Sequence, residues 1–263
     1  MKICITSDVH YGHTSKKRVE HLVHNIIQSK PDIIILAGDN AEPGNNNMAN
    51  CLDIFNKSSA IKGLILGNHD LWKIYSDHPS TNDLWECIYP NLAKEKDFIW
   101  MEDEIIYFDN IAIIGSIAWY DYSNAESFTM LSDNFYYSQK KKYNNDGRFI
   151  TWGKTDIEFA KECRENLIKR LQICEDDPNI DTVIVVTHVP IFSQQMVSSI
   201  YDDPRGNAYF GHFTLGKEVL KFDKVKHVVS GHTHRGIKYE IDGLTLETIG
   251  SDYGKPTYIQ IEI

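Results

Sequence analysis

Short apolar runs separated by amphipathic stretches organise the first third of the chain. Residues 3–6, 33–36 and 64–66 are runs of the β-branched and aliphatic side chains that fill strands. Between the first two, Val19, Leu22, Val23, Ile26 and Ile27 recur at the spacing of a helix face, and residues 48–55 carry a second helix before the third run. Parallel neighbours in a sheet cannot be joined by a tight turn and need a crossover, so this alternation predicts a βαβαβ unit.

The pattern then loosens. Residues 111–117 read as a strand, whereas residues 121–153 are polar and aromatic, with Lys140, Lys141 and Lys142 and the turn-forming run 144–147, and are expected to form a surface insertion or lid. Ile157, Ala160, Cys163, Leu167 and Leu171 mark one face of a long helix that stops in acidic residues before Pro178. Residues 182–186 and 225–229 return to the buried-strand pattern. Residues 237–241, 244–249 and 257–263 follow as strands without intervening helices, the first two joined at Asp242 and Gly243. They predict a second sheet of antiparallel strands packed on the first, with residues 1–263 forming one domain.

Composition narrows the class. Apolar residues at 42% and charged residues at 24% are ordinary for a globular chain, and no apolar run approaches the ~20 residues needed to cross a bilayer. Residues 2–6 follow Met1 without the longer apolar stretch of a secretory signal, so a cytoplasmic protein without membrane contact is expected. The five cysteines are scattered, with no CxxC pair, and are expected to be free and mostly buried. A formal charge of −10 disfavours a nucleic-acid partner, which calls for a basic surface, but leaves room for a small anionic substrate if metal ions supply local positive charge.

Each apolar run ends in a polar cluster, and ligands in open α/β sheets gather at the carboxyl ends of strands. The clusters are Asp8 and His10 (DxH), Gly38, Asp39 and Glu42 (GDxxE), Gly67 to Asp70 (GNHD), His188, and Gly231 to His234 (GHTH). Two carboxylates, an amide oxygen and four imidazoles suit a pair of divalent manganese, iron, zinc or cobalt ions better than calcium or magnesium, which favour all-oxygen shells. A single such motif is short enough to arise by chance; five in this order, each at a strand end, are not.

The set resembles the calcineurin-like metallophosphoesterase superfamily across nearly the whole chain. That resemblance implies an α/β fold, a four-layer αββα sandwich of two mixed sheets flanked by helices. It implies that Asp8, His10 and His234 bind one metal, that Asn68, His188 and His232 bind the other, and that Asp39 bridges them. Two ions ~3.5–4 Å apart can share a water, lower its pKa and polarise a phosphoryl oxygen. By the same resemblance His69 contacts the substrate phosphate and protonates the leaving oxygen, with Asp70 expected to accept its other ring proton; capping of the following helix is the competing role for Asp70. Trp119 and Tyr120, together with Arg205, Tyr209 and His212, are candidates to line the substrate pocket, against the alternative of simple packing. His13 and His78 are further loop histidines.

The expected activity is metal-dependent hydrolysis of a small phosphodiester or phosphomonoester. The protein phosphatases of the superfamily carry arginines after the second and third motifs, where this chain has residues 40–44 and then Leu71 and Trp72, with no arginine. A nuclease is disfavoured by the acidic balance, and a non-catalytic metal-binding scaffold by the presence of every ligand position.

Overall fold

Burial on both faces explains why the strands read as unbroken apolar runs. The structure, a computed structural model, describes residues 1–44, 46–75, 77, 79–125, 131–196 and 204–263, apart from the side chains of residues 204 and 205. Its strands are β1 (Lys2–Thr6), β2 (Ile33–Ala37), β3 (Ile61–Ile65), β4 (Ile99–Trp100), β5 (Ile105–Phe108), β6 (Ile111–Ser116), β7 (Thr182–Thr187), β8 (Val225–Ser230), β9 (Ile237–Ile241), β10 (Leu244–Thr248) and β11 (Tyr258–Glu262). They form a five-stranded sheet in the order β11-β1-β2-β3-β4 and a six-stranded sheet in the order β5-β6-β7-β8-β10-β9.

Alternate side chains divide the core into three layers. Ile3, Ile5, Ile33 and Ile35 of the first sheet meet Ile113, Ile184, Val186 and Val229 of the second. On the outer face of the first sheet, Cys4, Ile34 and Leu36 pack with α1 (Lys16–Gln28) and α2 (Asn47–Phe55), through Val19, Leu22, Val23, Ile26, Leu52 and Phe55. After α3 (Thr81–Asp83), α4 (Tyr89–Glu95), α5 (Asp133–Tyr143) and α6 (Asp146–Phe149), the helices α7 (Asp156–Asp176) and α8 (Phe213–Val219) cover the other sheet, where Ala112, Ile114, Val183 and Val185 meet Leu167, Leu171 and Leu215. Each large aliphatic side chain so buried contributes about 1.5–3 kcal/mol. The result is the expected αββα sandwich.

The C-terminal strands distribute differently from the expectation of a separate antiparallel sheet. The hairpin β9–β10 joins the second sheet, because β10 lies parallel to β8, and β11 crosses back to pair antiparallel with the open edge of β1, from Lys2↔Glu262 to Thr6↔Tyr258. Both sheets are therefore mixed. β4 and β5 escaped the sequence pattern because they are only 2 and 4 residues long and β5 carries an exposed Tyr107.

The described part of residues 121–153 is tied to the body by buried polar groups. Lys140 Nζ lies 2.5 Å from Asp156 Oδ1 and stands over the rings of Trp119 and Tyr120. Asp156 opens α7, whose N-terminus is closed by a reciprocal pair: Thr155 Oγ1 accepts from Glu158 N, and Glu158 Oε2 accepts from Thr155 N.

Candidate metal centre

The polar clusters converge at one end of the sandwich because they follow β1, β2, β3, β7 and β8, neighbouring strands whose carboxyl ends point the same way. Sharp backbone turns aim them. Asp8, His10, Asp39, His232 and His234 all have left-handed φ values, between 46° and 67°, conformations costing non-glycine residues on the order of 1–3 kcal/mol each that persist where the surroundings enforce them. Backbone bonds do so here: Asp8 N donates to Gly38 O and His10 N to Asp39 O, both at 2.9 Å.

Asp8, His10, Asp39 and His234 present donor atoms within 4.8 Å of one another, as do Asp39, His188 and His232. Asp39 belongs to both groups, its Oδ2 3.8 Å from His10 Nε2 and its Oδ1 3.5 Å from His188 Nε2. Asn68 Oδ1 is 3.1 Å from His188 Nε2. The tautomers follow from the outer ring nitrogens. His188 Nδ1 donates to Ala37 O and His232 Nε2 to Tyr209 O, and a carbonyl can only accept, so the inner nitrogen of each ring carries a lone pair. His10 Nδ1 and His234 Nδ1 face the carboxylates of Glu42 and Asp252 at 2.9 and 3.3 Å. His188 Nε2 and Asn68 Oδ1 are thus two acceptors with no proton between them, and His10 Nε2 meets His234 Nε2 at 3.3 Å. Such convergence of lone pairs is what a cation would satisfy, and the donor set fits two divalent ions.

The electrostatics of these side chains agree. Burial pushes His188 down to about 3 and lowers His10 and His232, keeping their rings neutral. Burial also acts to lower His234, but hydrogen bonding and charge from Asp8, aided by Asp252, raise it. Burial acts to raise Asp8, and the same bond to His234, with His188 and His10 nearby, holds it below its usual range instead. Asp39 is raised by burial and by the neighbouring carboxylates Asp8 and Asp70, a penalty that a bound cation would reverse.

Asp70 does not meet the role expected of it. Its carboxylate accepts from Gly67 N, Ala41 N, Asn40 N and Asn40 Nδ2 at 2.9 to 3.3 Å, so it ties the β2 and β3 loops together and neither orients the His69 ring nor caps a helix. Burial raises its pKa to about 6 against the pull of those N–H groups. The carboxylate that faces His69 Nδ1 is Glu42, whose Oε1 is 3.5 Å from that nitrogen and 2.9 Å from His10 Nδ1. Glu42 was visible as the last residue of GDxxE. The other face of His69 stacks on Trp72, with ring centroids 3.6 Å apart.

Trp119, Tyr120 and His212 are fully buried and do not line the cleft. Trp119 Nε1 donates to Asp156, Tyr120 Oη to Asp146, and His212 sits 3.5 Å from Asp121; their polar atoms are directed into the fold, and burial lowers His212 to about 4. The Arg205 side chain and His78 lie outside the described residues. Tyr209 does line the cleft, a space of 540 Å³ also bordered by Asn145, Asp146, Phe210, Arg235 and Tyr253. Tyr253 packs on His10 with ring centroids 4.3 Å apart, a position nothing in the sequence pattern signalled.

Gly67 is a close-approach residue: a Cβ there would lie 2.1 Å from Asp39 Oδ1 and 2.3 Å from Asp39 N. Gly67→Ala is expected to cost ~1–3 kcal/mol as overpacking and to lower metal content, read by metal analysis and thermal melting. Gly153→Ala, with open space around it, is the control; wild-type metal content in Gly67→Ala would separate this contact from the centre.

Two mixed sheets with groups of possible metal-ligating side chains at the strand ends fit a metallophosphoesterase. The family model for calcineurin-like phosphoesterases matches residues 1–236, and the chain belongs to that family of phosphoric ester hydrolases, which use a dinuclear metal centre. It is 27% identical over 233 residues to a protein of Acanthamoeba polyphaga mimivirus described as uncharacterized protein L509, covering 82% of this chain and 76% of that one. Among solved structures, its fold is similar to phosphopantetheinyl hydrolase from Mycobacterium tuberculosis (TM-score 0.77, 20% identity, 98% of this chain and 95% of that one). It is also similar to a dimetal phosphatase from Danio rerio (TM-score 0.63, 14% identity, 99% and 91%). Among the described residues, no helix is long and apolar enough to cross a membrane.

Proposed function

We propose that the protein hydrolyses a small phosphodiester or phosphomonoester, with Asp8, His10 and His234 holding one divalent ion, Asn68, His188 and His232 the other, and Asp39 shared between them. The observation that carries this reading is the position of Asp39, whose two carboxylate oxygens face the two histidine groups separately. Two such ions supply a water of lowered pKa and polarise the phosphoryl oxygens. His69, on the cleft wall beside Asp39 and backed by Glu42, is the side chain placed to pass a proton to the leaving oxygen. Arg235 offers an exposed guanidinium to a second anionic group. The 540 Å³ cleft is in the range of small-ligand sites, and the formal charge of −10 gives no general attraction for a polyanion.

Removal of metal with a chelator is expected to abolish hydrolysis of bis-p-nitrophenyl phosphate and p-nitrophenyl phosphate, and return of manganese or zinc to restore it. Undiminished activity in a sample verified as metal-free would overturn the reading. Faster cleavage of DNA than of either small ester would keep the metal centre and replace the substrate class by a nucleic acid.

A further inference from the structure

We infer that Asp146, contributed by the 121–153 segment, is a positioning residue that fixes the amide of Asn68 with its oxygen turned toward His188. The inference rests on the proposed dinuclear reading and adds to it a residue outside the five motifs. Asn68 Nδ2 donates to Asp146 Oδ1 at 2.9 Å, while Asn68 Oδ1 lies 3.1 Å from His188 Nε2. The two ends of a primary amide are nearly the same shape, so packing alone cannot choose between an oxygen and an NH₂ facing the histidine. A carboxylate can, because it only accepts, and only the NH₂ end can face it.

Asp146 is itself held firmly enough to impose that choice. Trp72 Nε1 donates to Oδ1 at 2.7 Å and Tyr120 Oη to Oδ2 at 2.9 Å, so both oxygens are engaged, and the residue is 2% exposed. Its backbone N–H donates to Asn144 Oδ1 at 2.8 Å, a local turn that starts α6 and turns the chain inward. The preceding helix is anchored by the buried pair Lys140–Asp156. The segment expected to form a surface insertion or lid thus supplies part of the metal centre's outer support, a kind of contact whose loss typically weakens metal binding ~10- to 100-fold.

The test is titration of metal-stripped protein with Mn²⁺, with circular dichroism and melting temperature recorded alongside. Asp146→Leu, which removes the acceptor at similar size, is expected to weaken one of two Mn²⁺ sites by ~10- to 100-fold while the other keeps its affinity and the fold stays intact. Asp146→Asn keeps an acceptor toward Asn68, because the donor-only Trp72 Nε1 holds the new amide oxygen at the Oδ1 position while its NH₂ meets Tyr120 Oη, and is expected to bind both ions with near wild-type affinity. Wild-type affinity at both sites in Asp146→Leu, or an equal loss in Asp146→Asn, would overturn the inference. Failure of both variants to fold would make Asp146 a structural residue and overturn it equally. Absence of Mn²⁺ binding by the unaltered protein would instead fail the dinuclear reading.

Discussion

Asp39→Ala is expected to leave the protein without either metal ion and without measurable phosphoesterase activity. The other six proposed ligands each serve one ion, whereas Asp39 faces both histidine groups, and its Oδ1 also accepts the His69 backbone N–H at 2.8 Å. Its removal deletes a negative charge shared by the two positions and leaves Asp8 as the one carboxylate among four histidine nitrogens and Asn68 Oδ1, with less to attract a second cation. The loss of turnover should exceed the ~10²–10³-fold typical of deleting one electrostatic contact to a transition state. Metal analysis and a chromogenic diester assay check it. A variant that retains two ions per chain and its rate would show that the carboxylate does not bridge.

His69→Ala is expected to keep both metals and lose ~10²–10⁴ in turnover, the usual contribution of a positioned proton donor. Its ring stands beside Asp39, with Nε2 3.9 Å from Oδ2, but it joins neither group that shares Asp39; its other nitrogen faces Glu42 and its plane rests on Trp72. The defect should shrink for esters whose leaving groups are strongly acidic, since these depart without a proton. An equal loss across leaving groups would reduce His69 to phosphate binding, and loss of a metal would make it a ligand.

What could be read from the chain follows from where the chemistry sits. Parallel strands buried on both faces produce runs such as Ile33 to Ala37 that stand out in any pattern, and the proposed ligands at strand ends come immediately after them, so Asp8, Asp39, Asn68, His188 and His232 were legible together as candidates. The connection between loops was not. Asp70 follows His69 in sequence, yet residues 69–71 form a tight 3₁₀ turn with successive side chains about 120° apart, so adjacency directs Asp70 away from the ring and toward the β2 loop. Glu42, 27 positions earlier than His69, reaches it through space. Asp146 lies 78 positions from Asn68 in a stretch with no regular apolar period, and only the folded chain brings them together. Trp119 and Tyr120 follow a strand as the ligands do; their polar atoms found acceptors at Asp156 and Asp146, which allowed both rings to be buried instead of lining the cleft.

The left-handed backbone at Asp8, His10, Asp39, His232 and His234 sets a boundary on how far the protein can be made more robust. Glycine or asparagine would relax the chain at any of these positions, so a selection for heat resistance alone would be drawn to them. Every such gain would delete a carboxylate or an imidazole from the centre. Tolerance to heat and capacity for chemistry compete here at the same five residues, and improvements that spare activity must be sought in the layers beneath the sheets or on the surface.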